Sequence, residues 1–271
     1  MKYTILGGSG FIGNNLSSYL ADKNVDLYIP KREDPEWLEK LLSFNLGTVF
    51  YCIGLTANFR NYPIETVNAH VCVLNRIINS AHMEQLIYLS STRIYEGSPS
   101  TEESSVINIQ PNSLSHLYNL SKLMGESICF NSNRKTKVIR LSNVYGSEME
   151  SENFIASVLR NAATTGKVKF QTSPSSAKDY ISINDVVKVI YHLAIHGKYT
   201  IYNLASGKNT TNAEIACTLQ TMGVNVEFEI DARQWSMPEI NTIKLQAEFG
   251  KLRHDLIDDL PELINFYIPK E

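Results

Sequence analysis

Tyr118 and Lys122 lie four residues apart in Tyr118-Asn119-Leu120-Ser121-Lys122, so on a helix they share one face. A free tyrosine has a pKa of about 10, and a neighbouring ammonium brings its phenolate within reach of proton transfer near neutral pH. That pair suits the protonation of an alkoxide as it forms on a carbonyl carbon. A hydroxyl able to hold that oxygen is the third requirement. Ser90-Ser91-Thr92 ends the apolar run Leu86-Ile87-Tyr88-Leu89, and Ser91 is assigned the role, with Thr92 as its nearest rival. Tyr19 and Lys23 repeat the spacing on the helix just after the glycine loop, where they read as a partly buried tyrosine and a surface lysine.

A hydride donor is the complement of such a site. Gly7-Gly8-Ser9-Gly10-Phe11-Ile12-Gly13 stands between an apolar run, Tyr3–Leu6, and an amphipathic stretch, Phe11–Ala21. Glycines at a strand-to-helix junction let the backbone approach a pyrophosphate, which the free N–H groups of the helix N-terminus then hold. Gly7, Gly10, Phe11, Ile12 and Gly13 are therefore expected on a dinucleotide. The second strand, Val25–Ile29, ends in Pro30-Lys31-Arg32 with no acid until Glu33. An acid there would hold the ribose hydroxyls of NAD, whereas Lys31 and Arg32 suit the extra phosphate of NADP. NADP is favoured over NAD, with a solvated basic turn as the alternative reading of the two cations.

The elements that must position these groups alternate. Strand-like runs occur at 3–6, 25–29, 48–53, 85–90, 138–141 and 201–204, and helix-like stretches at 11–21, 37–42, 67–81, 114–131, 185–196 and 212–222. This predicts an α/β fold, a doubly wound parallel sheet covered by helices. The segment between Lys31 and Thr48 is short for a strand and its crossover, so one unit is expected to be trimmed. Residues 167–177 read as a polar loop with a serine-rich tip. Ile53 and Gly54, where the third strand ends, are expected beside the cofactor.

Composition sets the outer bounds. The 271 residues are 43% hydrophobic and 20% charged, with a net charge of −3, which gives no electrostatic reason to expect nucleic acid. No signal-like leader or membrane-length apolar run is seen, so a cytoplasmic protein without membrane contact is expected. Cys52, Cys72, Cys129 and Cys217 are scattered, which predicts reduced thiols and no metal site.

The chain resembles the extended short-chain dehydrogenases/reductases that act on nucleotide sugars. Besides the glycine loop and Tyr118/Lys122, the likeness covers Tyr88–Tyr95, Asn68, Val138–Gly146, Lys178–Val186 and Tyr202–Gly207, in order along nearly the whole chain. It implies a Rossmann-like domain at 1–146 and 180–205, interwoven with a smaller C-terminal α/β substrate lobe at 147–179 and 206–271. It further implies a nucleotide-diphosphate sugar as substrate and a homodimer formed through the helix carrying Tyr118. Asn68 is expected on the cofactor, with Thr92, Arg93, Asn143 and Arg233 on the substrate. Arg93 has a second reading, as a salt bridge in a loop. His116, Trp235 and Lys244 are weaker candidates for substrate contact.

Departures from the family pattern sort the reactions. The sugar 4,6-dehydratases carry an Asp-Glu pair where this chain has Thr92-Arg93, and an arginine does not exchange protons near neutral pH. Members that combine 3,5-epimerisation with reduction place a cysteine where Arg93 stands. A 4-epimerase and a 4-ketoreductase remain; the epimerases typically carry an acid where this chain has Lys31, which favours NAD(P)H-dependent reduction of the 4-keto group of a nucleotide-linked 6-deoxy or dideoxy sugar, with Tyr118 as proton donor. The alternative is a 4-epimerase with tightly bound NAD. A non-catalytic NADP-binding sensor is a third class; loss of the tyrosine or lysine usually marks it, and both are present.

Overall fold

The computed structural model describes residues 1–31, 33–34, 36–55, 59–113, 115–147 and 153–268. The first half alternates: β1 (Lys2–Leu6), α1 (Phe11–Ala21), β2 (Asp26–Tyr28), α2 (Trp37–Leu42) and β3 (Thr48–Tyr51). There follow α3 (Pro63–Val67), a single π-helical turn at Asn68–Cys72, and α4 (Val73–Ser80). β4 (Gln85–Ser91) runs into a 3-10 turn at Thr92–Tyr95, and α5 (His116–Asn131) leads to β5 (Thr136–Leu141). The second half comprises β6 (Asn143–Tyr145), α6 (Phe154–Thr165), β7 (Lys167–Phe170), β8 (Ala177–Ser182), α7 (Ile183–His196) and β9 (Ile201–Leu204). It closes with β10 (Asn209–Thr211), α8 (Asn212–Thr221), β11 (Asn225–Phe228), α9 (Ile243–Phe249) and α10 (Leu256–Tyr267).

Six strands form one parallel sheet in the order β2-β1-β3-β4-β5-β9. Its strands are apolar on successive residues because both faces are covered. Ile5 and Ile87 point to the side packed by Leu16 and Leu20 of α1 and Ile190 and Leu193 of α7. Leu6, Leu86 and Tyr88 point to the other, where Leu74 and Ile77 of α4 and Cys129 of α5 cover the sheet's opposite face. The fold is thus the doubly wound α/β sheet expected of the sequence. The chain adds β2 on one side of β1 and β3 on the other, and this switch in strand order places a crevice at the carboxyl ends of β1 and β3.

The trimmed unit is visible. β2 is the edge strand, and among the described residues the only helix between it and β3, on the far side of β1, is the six-residue α2. Three expectations change. β2 is confined to three residues, ending before Ile29. The helix expected at 67–81 begins at Pro63, which fits a first helical position, and is interrupted by the π turn. Residues 167–170 are a strand rather than a loop: Val168 and Phe170 are buried and Lys167 and Lys169 exposed, and the strand pairs with β11.

A second core gathers α6, α8 and α10 around β7 and β11, with Leu159, Ile215, Leu219 and Leu260 fully buried and Phe170 stacked on Phe228. β8 belongs to both cores, Tyr180 facing the smaller and Ile181 the larger. α9 returns to the larger unit, where Leu245 is buried beside β9. Among the described residues no helix is long and apolar enough to cross a membrane.

Candidate active site

The glycine loop takes its shape from close backbone packing. Gly7 has φ +84°, and a Cβ there would lie 2.9 Å from the Cys52 carbonyl at the end of β3. A Cβ on Gly13 would collide with the Gly7 carbonyl, so the first turn of α1 can sit on the loop only if both are glycine. Gly10 is the N-cap of α1 and supplies no side-chain cap, which leaves the first-turn N–H groups facing the crevice. This cradle fits a pyrophosphate, with the positive end of α1 aimed at it.

A cleft of about 420 Å³ opens over the loop. Gly10, Phe11 and Ile12 form one wall, Ile53 and Gly54 the next, and Ser91, Tyr118 and Lys122 the reacting end. Arg93, Asn143, Phe154 and Tyr180 continue it toward the smaller core. No carboxylate and no histidine lines it among the described residues.

β4 delivers the two serines to opposite sides. Ser90 donates to Glu126 of α5 at 2.5 Å, while the Ser91 hydroxyl accepts the Arg93 N–H at 3.2 Å and also bonds the Tyr118 hydroxyl. Tyr118 is 5% exposed. Burial raises its pKa, and the Ser91 hydrogen bond and the Arg93 charge pull it back. Lys122 is buried as well, with Nζ donating to the Leu89 carbonyl at 2.8 Å. Desolvation brings its pKa down to about 7, against the opposing charge of Glu126 one turn along.

The cleft is basic at its outer end. Arg93 pairs with Glu96 at 3.4 Å, yet its Nε is buried with no hydrogen-bond partner among the described residues. Lys178 is not in the cleft lining but stands behind it, over the rings of Phe154 (4.6 Å) and Trp235 (5.0 Å), its pKa pushed down to about 8 by burial and then by Arg93. Asn143 lines the cleft and donates to the Asp179 carbonyl at 2.8 Å.

Other residues singled out from the sequence lie elsewhere. Thr92 is buried in the 3-10 turn and does not reach the cleft. Arg233 is exposed, its carbonyl accepting the Ser173 N–H. Asn68 is exposed where the π turn begins, away from the cleft lining. Lys31 is exposed beyond β2 and meets no acid among the described residues, and Arg32 lies outside those residues. His116 accepts the Gln110 N–H at 2.8 Å, and Lys244 pairs with Glu103 at 3.3 Å. Among the described residues no group of three His, Cys, Asp or Glu side chains is placed to hold a metal.

Sequence reasoning missed His70. It is fully buried behind the Gly54 wall, with its ring edge-on to Tyr118 at 5.3 Å between centroids. Nothing in the local sequence distinguishes it from an ordinary histidine on an apolar helix.

Comparison with known proteins places this geometry. The model of the NAD dependent epimerase/dehydratase family matches residues 3–205. Among solved structures the chain is similar to TunA, an NAD dependent NDP-hexosamine 5,6-dehydratase involved in tunicamycin biosynthesis, with a TM-score of 0.81, 17% identity and coverage of 98% of this chain and 97% of that one. RMD from Pseudomonas aeruginosa complexed with NADPH gives a TM-score of 0.80 at 20% identity, over 98% and 99% of the two chains. The UDP-glucose 4-epimerase of Thermotoga maritima with UDP-glucose gives 0.79 at 19%, over 98% of each. Proteins named for different reactions, a dehydratase and a 4-epimerase among them, thus share this fold, and the cleft residues must decide among reactions.

Proposed function

The chain belongs to the NAD dependent epimerase/dehydratase family of extended short-chain dehydrogenases/reductases, and we propose that it reduces the 4-keto group of a nucleotide-diphosphate 6-deoxy or dideoxy sugar. One observation carries the reading: among the described residues that line the cleft, Tyr118 is the group suited to proton transfer at the substrate, and there is no carboxylate beside it. Elimination of water needs a separate acid and base at the sugar; adding hydrogen to a ketone needs one proton donor.

Tyr118 gives its proton to the oxygen of the ketone, and Ser91 holds that oxygen by hydrogen bonding. A bound nicotinamide dinucleotide supplies the hydride. The glycine loop and the N-terminus of α1 hold its pyrophosphate, and Ile53, Gly54 and Lys122 its nicotinamide side. Lys31 and Arg32 select NADP over NAD through the extra phosphate. Arg93, Lys178 and Asn143 hold the nucleotide-diphosphate sugar. The smaller core, 147–179 with much of 206–271, is the substrate lobe. The molecule is a homodimer through α5, whose outer face leaves Met124 and Phe130 exposed.

A second reading uses the same residues. A 4-epimerase also needs a single tyrosine, and the Thermotoga neighbour bound to UDP-glucose is named as one. NADPH and NADH absorbance, followed with purified protein and a panel of nucleotide 4-keto-6-deoxyhexoses, separates the two. Stoichiometric oxidation of NADPH by one sugar supports reduction. No net consumption of either cofactor, with NAD released on denaturation, moves the assignment to epimerisation.

A further inference from the structure

The π turn at Asn68–Cys72 is the one irregular turn on the helix packed against α5, and it is held in place from below. A π turn shifts the i→i−4 pattern and frees carbonyls that need other donors. Here Tyr51 of β3 donates to the Ala69 carbonyl at 2.5 Å, and Tyr88 of β4 to the His70 carbonyl at 3.4 Å. Both tyrosines are fully buried. The sheet therefore supplies the donors that let His70 turn inward.

The ring so presented has a defined hydrogen-bond direction. The Leu55 N–H points at His70 Nε2 from 3.3 Å, so Nε2 is the acceptor and the proton sits on Nδ1. Nδ1–H then donates to Ser121 Oγ at 2.8 Å, and the Ser121 hydroxyl donates to the Tyr118 carbonyl at 2.8 Å. Burial, and then the charge of Lys122, hold the ring's pKa down to about 2, so this neutral tautomer persists. A Cβ on Gly54 would lie 3.1 Å from Nε2 and 3.4 Å from Lys122 Nζ, so the segment that His70 grips rests directly on the lysine.

We propose that His70 is a positioning residue, tying the Ile53–Gly54–Leu55 wall of the cofactor cleft to the helix that carries Tyr118 and Lys122. The chain Leu55 N–H, His70, Ser121, Tyr118 carbonyl fixes the spacing between the two walls. It also keeps water from Lys122 without adding a second charge beside it. The effect on dinucleotide affinity rests on reading the cleft as a cofactor site; the tie between the walls does not.

His70→Phe keeps the ring against Tyr118 and removes both hydrogen bonds, whereas His70→Gln retains an acceptor and a donor. NADPH and NADH affinity is measured by fluorescence titration, and exchange of the Leu55 amide by hydrogen–deuterium exchange in the absence of cofactor. In His70→Phe, affinity is expected to fall about tenfold, as when a buried donor loses its acceptor, with faster Leu55 exchange. In His70→Gln both recover most of the wild-type value. Should His70→Phe not fold, Ser121→Ala cuts the other end of the chain and is expected to speed Leu55 exchange. Wild-type exchange and affinity in His70→Phe, wild-type exchange in Ser121→Ala, or equal losses in the Phe and Gln variants, would overturn the proposal. Wild-type protein that binds neither NADPH nor NADH overturns the cofactor reading, while the exchange comparison still decides the tie.

Discussion

Glu126 of α5 and Arg140 of β5 form a two-pronged ion pair inside the protein, Nη2 to Oε2 at 2.7 Å and Nε to Oε1 at 3.1 Å, with both side chains at most 5% exposed. The pair does not stand alone. Glu126 also accepts the Ser90 hydroxyl, and Arg140 also donates to the Tyr95 hydroxyl and the Glu103 carbonyl. It therefore joins the helix of Tyr118 and Lys122 to the strand of Ser91. Removing one member leaves a buried charge without its partner. Arg140→Met is expected to cost about 3–5 kcal/mol in a urea unfolding titration. A loss below about 1 kcal/mol would mean that water reaches Glu126 and the pair is not structural.

Tyr118 is assigned the proton, so the isosteric Tyr118→Phe isolates that role. Turnover is expected to fall by roughly 10²–10⁴, the usual contribution of a positioned acid. NADPH affinity should stay at the wild-type value, since the ring remains packed between Phe59 and His70. Fluorescence titration beside steady-state rates tests both halves. Undiminished turnover would remove Tyr118 from the mechanism.

Lys122 sets a pH dependence whose sign follows from its shift. In the free enzyme its proton leaves near pH 7 rather than at the ordinary 10.5, because the ammonium is desolvated. If the ammonium is the form that grips cofactor and assists Tyr118, kcat/KM is flat below about pH 7 and falls about tenfold per pH unit above it. Lys122→Arg, charged throughout, should lose that alkaline limb. Stability runs the other way. Between about pH 7 and 10.5 the unfolded chain holds the proton and the folded one does not, so this lysine's contribution rises with pH. The difference in unfolding free energy between wild type and Lys122→Met should therefore grow in favour of wild type across that window. A flat difference would show that Lys122 stays charged in the fold.

The parts of the site that could be read from the sequence are those where one local constraint dictates residue type. A strand running straight into a helix over a pyrophosphate requires glycine at Gly7 and Gly13, and the backbone contacts at both positions show why. Tyr118 and Lys122 were legible because four-residue spacing on a regular helix puts them on one face. His70 was not, because its inward direction goes with a π turn whose carbonyls are met by Tyr51 and Tyr88, on two strands of the sheet packed beneath it. β7 was missed for a different reason. Lys167-Val168-Lys169-Phe170 alternates as a strand should, but the serines that follow it read as one loop with it, and its partner β11 is over fifty residues away. Nor could the sequence show that Arg93 has a buried nitrogen without a hydrogen-bond partner among the described residues, since that follows from how the 3-10 turn seats it.

The cofactor preference is the remaining assignment that a single side chain can overturn. Lys31 is exposed three residues beyond the end of β2, the strand that follows the glycine loop and α1, and is paired with no acid among the described residues. A free cation there can meet a phosphate, and charge-assisted hydrogen bonds of this kind contribute about 1.5–3 kcal/mol. Lys31→Ala should weaken NADPH by roughly tenfold to a hundredfold and leave NADH unchanged, because NADH lacks the phosphate that the lysine would hold. Lys31→Asp should go further and turn the preference toward NADH, since a carboxylate accepts from the ribose hydroxyls and repels the phosphate. Paired fluorescence titrations of the two cofactors read the ratio directly. Equal losses for both would place Lys31 outside the recognition of that phosphate, and a wild-type preference for NADH would assign NAD and strengthen the epimerase reading.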